Sequence, residues 1–243
     1  MNAVRDTWLV TRHNVRIALR QKAGIVFGVL QPLLYLALFG PLFATIGTWE
    51  TLVPGLLAQV GLFSAGLSGI GIVFDARSGV LERLRVTPAR RTALLLGRVL
   101  GSSLTVLIQS VILIAAGYAF GLRAPLPGVL AGLALMTLLG VGLAALSNAI
   151  ALVMDPDAFA PIVSTAVIPL VLLSGAFLPM SMAPAWLDVI SRLTPFRHVV
   201  EAIRDLFAGH YATWTVAAGV AVTAILAVVC VAVGTRVFNR ENA

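Results

Sequence analysis

An all-α bundle of six membrane-crossing helices is the fold this sequence predicts, and three observations predict it. Six uncharged apolar runs, 24–49, 51–74, 99–122, 124–154, 158–187 and 211–235, each reach the roughly 20 residues that a helix needs to cross a hydrocarbon core. Of 243 residues, 59% are hydrophobic and only 11% charged, with a mean hydropathy of +1.00, whereas a soluble domain carries about 25% charged residues. Third, the basic residues are segregated. Six crossings put the segments holding Arg5, Arg12, Arg16, Arg20, Lys22, Arg77, Arg83, Arg85, Arg90, Arg91, Arg98, Arg236 and Arg240 on one side, and only Arg123, Arg192, Arg197 and Arg204 on the other. By the positive-inside rule both termini are expected in the cytoplasm.

The net charge of +7 and pI near 11.0 do not point to nucleic acid, because the basic residues flank apolar runs instead of forming one aromatic-studded face. They serve better as an orientation signal and a contact for anionic lipid. The one cysteine, Cys230, lies in an apolar run with no partner for a disulfide or a metal.

Residues 4–20 place Val4, Trp8, Val15 and Leu19 on one broad helical face, with Arg5, Arg12 and Arg16 among the basic flanking positions. The pattern predicts a basic amphipathic helix over residues 1–23, lying in the membrane interface with Trp8 at headgroup depth; a loosely ordered tail fits the same composition. This polar, basic stretch does not read as a signal peptide.

The segment 75–98 carries six arginines against Asp75 and Glu82. It cannot lie in hydrocarbon, where each central Arg costs at least ~2.5 kcal/mol. Leu81 and Leu84 share a face of a short helix whose other faces carry Glu82, Arg83 and Arg85, and Thr87-Pro88 ends that turn and opens the next span. An ordinary basic connector and a docking helix for a soluble partner both fit. Asp155-Pro156-Asp157 then forms a tight turn in which the acids are expected to serve the following helix N-terminus. Gly pairs four apart, such as Gly24/Gly28 and Gly128/Gly132, suit close helix approach. Gln31, Gln59, Gln109 and Asn148 are the polar residues deep in the spans, expected to face protein or a substrate path and not lipid.

Residues 179–210 are too charged to span and too apolar for a solvated loop. They divide into two amphipathic helices. Pro184 opens the first, with Trp186, Leu187, Ile190 and Leu193 on its apolar face. Thr194-Pro195 opens the second, with Phe196, Val199, Val200, Ile203 and Phe207 on its apolar face, an Arg197–Glu201 pair opposite, and Gly209 at its end. The two either dip into the membrane to cap a pathway or lie flat on the outer leaflet.

In these motifs the chain resembles the permease subunits of ABC-2 type transporters, especially the drug-resistance permeases that pair with daunorubicin-type ATPases. The resemblance rests on Leu81-Glu82-Arg83-Leu84-Arg85-Val86-Thr87-Pro88 followed by Gly97-Arg98, on Leu173-Ser174-Gly175-Ala176-Phe177-Leu178-Pro179, on Pro184-Ala185-Trp186-Leu187, and on Pro195 through Glu201-Ala202-Ile203-Arg204. It implies a single transmembrane domain over residues 1–243. It also implies a cytoplasmic coupling helix at Leu81, Glu82, Arg83, Leu84 and Arg85 that enters a cleft on an ATPase, and an N-terminal helix resting on that ATPase. Two re-entrant external helices would form a gate that includes Trp186, Phe196, Val200, Ile203 and Phe207. A permease dimer and two ATPase copies are implied, with ATP and Mg bound by the ATPase and no cofactor by this chain. The short external segment near Trp49-Glu50-Thr51 departs from relatives with large external domains.

The implied activity is ATP-powered export of an amphipathic drug-like molecule or lipid across a bacterial plasma membrane. A polysaccharide or lipid-linked glycan exporter is the alternative, weakly supported at 7% aromatic content. The chain has no Walker-type phosphate loop, so ATP hydrolysis would belong to a separate subunit. Nucleophile–base pairs and metal-ligand sets are missing from the sequence too, and the charges inside the runs are too few for an ion-coupled carrier or channel.

Overall fold

The computed structural model describes residues 22–46, 49–79, 91–177 and 180–241. The expected interface helix, with Arg5, Trp8, Arg12 and Arg16, and the expected coupling helix, Leu81 to Arg85, lie outside the described residues. The described chain is helical and, within those residues, contains no strand. Its elements are α1 (Lys22–Ile46), α2 (Trp49–Gly66), a 3-10 turn (Leu67–Gly69), α3 (Ile70–Arg77), α4 (Arg91–Phe120), α5 (Leu126–Val153), α6 (Pro156–Leu173), a second 3-10 turn (Met180–Met182), α7 (Ala185–Leu193), α8 (Pro195–Phe207) and α9 (Trp214–Glu241).

Among the described residues, six segments are long and apolar enough to cross a membrane: Gly24–Pro41, Trp49–Arg77, Leu95–Phe120, Leu126–Val153, Pro156–Leu173 and Trp214–Phe238. They match the six apolar runs, except that the fifth stops well short of residue 187. Ser174 closes α6 and Gly175 turns the chain at φ +73°, a conformation open to glycine because it lacks a Cβ. At the other end of α6, Pro156 takes the first helical position and Asp155 is the cap, its carboxylate accepting from the Asp157 backbone N–H at 2.8 Å. Asp157, in the first turn, is instead ion-paired with Arg77.

α5 is the central helix. α2, α4, α8 and α9 pack around it, while α1 and α6 sit at the periphery with few of their residues fully buried. The second span passes through a 3-10 turn at Leu67–Gly69. There Ser147 of α5 donates through its hydroxyl to the Gly66 carbonyl and accepts from the Gly69 backbone N–H at 3.0 Å. Asn148 donates to Ser68 Oγ at 3.3 Å and to the Ala144 carbonyl at 2.7 Å. A 3-10 break in a span frees backbone groups that hydrocarbon cannot satisfy, and α5 supplies partners for them.

The apolar interior forms two clusters. One, at the end of the bundle that holds α7 and α8, includes Leu36, Leu57, Leu113, Met136, Phe196 and Phe207. The other, toward the opposite end, includes Ile72, Leu95, Phe159 and Phe238. Near that second end, Arg98 pairs with Asp75 and Arg77 with Asp157, so the charges flanking the spans are tied between neighbouring helices.

Candidate functional site

α8 closes one end of the bundle. Its period of 3.6 puts Phe196, Val199, Val200, Ala202, Ile203, Leu206 and Phe207 on one side, and all seven are buried against α2, α5 and α9, with α6 alongside. Small residues on the receiving helices permit this approach. A Cβ at Gly128 of α5 would collide with the Leu206 carbonyl, one at Gly132 with the Phe207 ring, and one at Gly219 of α9 with the Ala202 side chain and the His198 carbonyl. The Gly128/Gly132 pair is therefore a seat for α8.

The opposite side of α8 carries Arg197, Glu201, Arg204 and Asp205, none of them fully exposed. Arg204 donates to the carbonyls of Gly175 (2.7 Å) and Ala176 (3.3 Å), just past the end of α6, and to that of Thr51 (3.2 Å) in the first turn of α2. Carbonyls at a helix C-terminus carry partial negative charge and have no partner within the helix, so this guanidinium ties three elements at one point. Burial lowers its pKa to about 10, with Glu201 acting in the opposite direction, and it remains a cation at neutral pH.

Arg197 makes the second tie. It donates to Glu201 Oε1 at 2.7 Å within α8, and to Asp188 Oδ1 (2.5 Å), the Asp188 carbonyl (3.0 Å) and Ser191 Oγ (2.5 Å) of α7. Burial works against its charge, but the bonds to Glu201 and Asp188 leave its pKa above the usual arginine value. The Arg197 hydrogen bond holds the Asp188 carboxyl below 3.8 despite opposing desolvation. At the far end of α8, Asp205 accepts from Thr213 Oγ1 at 2.8 Å, and Thr213 Oγ1 in turn caps α9 by accepting from the Val216 N–H.

Of the five expected gate residues, Phe196, Val200, Ile203 and Phe207 come together in this plug. Trp186 does not: it sits on α7 with its side chain turned away from the protein. The four polar span residues divide similarly. Gln31 is on the exposed surface of α1 and donates to Tyr35 Oη at 3.0 Å. Gln109 is buried, accepts from Ser64 Oγ, and lies across Gly28. Asn148 belongs to the break at Leu67–Gly69, and Gln59 is buried in α2. These three are buried among helices of the same chain. Sequence reasoning identified the Arg197–Glu201 pair from its spacing but missed Asp188, nine residues upstream of Arg197 across a turn, and the carbonyl partners of Arg204. Only the polarity of Arg204 next to an apolar stripe hinted at the latter.

A family model of the ABC-2 type transporter matches residues 5–208, which covers the first five spans, α7 and α8. The protein named "Putative transport permease ycf38" of Pyropia yezoensis is 31% identical over 216 residues, covering 82% of this chain and 72% of the relative. Its namesake from Cyanophora paradoxa is 28% identical over 207 residues, covering 80% of this chain and 71% of the relative. With six membrane-spanning helices and a family match over most of its length, the chain belongs to the ABC-2 type transporters as a multi-pass membrane permease.

Proposed function

We propose that this permease is the transmembrane subunit of an ATP-driven exporter that moves an amphipathic drug-like or lipid substrate across a bacterial plasma membrane. The family match over residues 5–208 carries this reading, since ABC-2 membership implies association with an ATP-binding cassette ATPase. Two ATPase copies bind ATP and Mg and serve two copies of this chain. Both termini are cytoplasmic, in keeping with the basic asymmetry. Leu81, Glu82, Arg83, Leu84 and Arg85 transmit nucleotide-driven closure of the ATPases to the second and third spans, and the segment with Arg5, Trp8, Arg12 and Arg16 rests on the ATPase at the interface. The plug of Phe196, Val200, Ile203 and Phe207 is the outer gate. Opening it means moving α8 as a rigid body away from α2 and the end of α6, which breaks the Arg204 ties.

The test is co-expression with the cognate ATPase, followed by co-purification and ATP-dependent uptake of amphipathic dyes into inverted vesicles. Glu82→Arg combined with Leu84→Asp is expected to reduce assembly or uncouple ATP hydrolysis from uptake while the bundle stays folded. Assembly, hydrolysis and uptake all at wild-type levels in that variant would show the segment to be a plain connector.

A further inference from the structure

Each end of α6 is held by an arginine from another helix. At its first turn, Arg77 of α3 pairs with Asp157. Just past its last turn, Arg204 of α8 donates to the carbonyls of Gly175 at 2.7 Å and Ala176 at 3.3 Å. The two holds lie at opposite ends of the bundle, because α6 is itself one of the spans. Between them α6 runs as one helix through Pro161 and Pro169 and buries only Phe159, Val167 and Val171. Phe159 meets Gly69 of the second span, and Val167 meets Gly66. Interdigitated side chains are what fix a packed helix along its length. With so few of them, α6 takes its position largely from its ends.

Asp75 and Arg77 show where motion would enter. They are two apart in α3, so they point to opposite sides of it, and they reach different spans. Asp75 pairs with Arg98 of α4, and Arg77 with Asp157 of α6. Residues 75–98 are continuous with the second and third spans. The fifth span is remote from that segment in sequence, and Arg77–Asp157 brings them together. Arg77 and Asp157 are 50% and 87% exposed, so their pair adds little stability. It does join the base of the 75–98 segment to a span whose other end meets the plug.

We propose that α6 is a strut, with Asp157 as the end that receives motion of the 75–98 segment and the Gly175 and Ala176 carbonyls as the end that delivers it to α8. Motion of Arg77 draws the start of α6 with it and shifts those carbonyls against Arg204, which loosens the plug. The strut rests on the exporter reading above, in which the 75–98 segment couples to an ATPase and α8 is the gate. Arg77 and Asp157 are positioning residues that act through α6.

The experiment compares Arg77→Asp, Asp157→Arg and the swap that combines them. In its first arm the full chain is purified in detergent without an ATPase. Hydrogen–deuterium exchange is followed along α8 and at Ser174 and Gly175, whose amides donate to the Leu170 and Leu172 carbonyls. Each single variant is expected to quicken exchange at both places about fivefold, with α5 unchanged, and the swap to restore it. The second arm uses inverted vesicles containing the cognate ATPase. There each single variant should assemble normally while dye uptake per ATP hydrolysed falls about fivefold, and the swap should recover it. If Asp157 served only the positive N-terminus of α6, Arg77→Asp would change nothing and the swap would match Asp157→Arg. That pattern overturns the strut, as does faster exchange confined to the first turn of α6, or unchanged uptake per ATP in both single variants. A wild-type chain that neither binds an ATPase nor takes up dye defeats the exporter reading instead, and the exchange arm then decides the strut alone.

Discussion

α7 and α8 are neighbours in sequence, each begins at a proline-marked break, and each carries a clean apolar stripe on a charged background. The bundle treats them in opposite ways. α8 presses its stripe into α2, α5 and α9 and leaves its charged side half covered. α7 presses its charged side onto α8 and leaves its stripe bare. Amphipathicity thus specifies two faces but not what each face meets. In water the apolar face has one good destination. At a membrane it has two, protein and lipid, and lipid tails are as apolar as a leucine side chain. What distinguishes the pair is complementarity. α8 meets glycines that admit its backbone and carbonyls that accept its arginine, whereas the stripe of α7 meets neither.

The largest expected effect comes from charging the buried stripe. Val200→Asp places a carboxylate at a fully buried position, where an uncompensated charge costs about 3–5 kcal/mol, and should abolish the folded, monodisperse protein in detergent. Val189→Asp on α7 should leave the protein monodisperse, because its side chain lies outside the packing. If both variants behave alike, the distinction between the helices fails.

Removing the Arg204 ties comes next. Arg204→Ala strips a donor from the carbonyls of Gly175, Ala176 and Thr51; those of Gly175 and Ala176 lie past the end of α6, and an acceptor left unsatisfied costs about 1–3 kcal/mol. The thermal transition should fall accordingly, with partial recovery in Arg204→Lys. Gly128→Ala should cost a similar ~1–3 kcal/mol by overpacking, because the obstructing atom is the Leu206 carbonyl, a backbone group that cannot rotate away. Gly24→Ala is its control, since a Cβ there meets nothing within 4 Å.

The clasp between the helices is expected to matter less. Asp188→Asn weakens the bonds from Arg197 and Arg192, and hydrogen–deuterium exchange should quicken across α7 while α8 stays protected. The same clasp has a pH signature. The folded-state pKa of Asp188 is depressed below 3.8, so its contribution is fully present above that value and lost as the pH falls through the lower, folded-state pKa. Exchange in α7 should therefore change little on acidification until the pH is under 3.8. The smallest effect is expected from Leu193→Ser, whose exposed side chain touches little protein. Its thermal transition in detergent should match wild type within ~0.5 kcal/mol.

The number of spans, the breaks at Pro156, Pro184 and Pro195, and the two apolar stripes were legible in the sequence because each depends on local facts: run length against membrane thickness, a proline without an N–H, a period of 3.6. The end of α6 was legible only to within a few residues. Residues 179–210 read as non-spanning, but it is the turn at Gly175 that stops the helix after Leu173. The role of Gln59, Gln109 and Asn148 was half legible. Their burial follows from the cost of polar groups in lipid, but whether they line a path or brace helices depends on which helices are neighbours. The same limit applies to Trp186 and Val200, which occupy equivalent stripes. The sequence by itself determined which side of each helix is apolar. Only the tertiary structure, through the glycine seat on α5 and the carbonyls at the end of α6, decided that one stripe closes the bundle while the other turns outward.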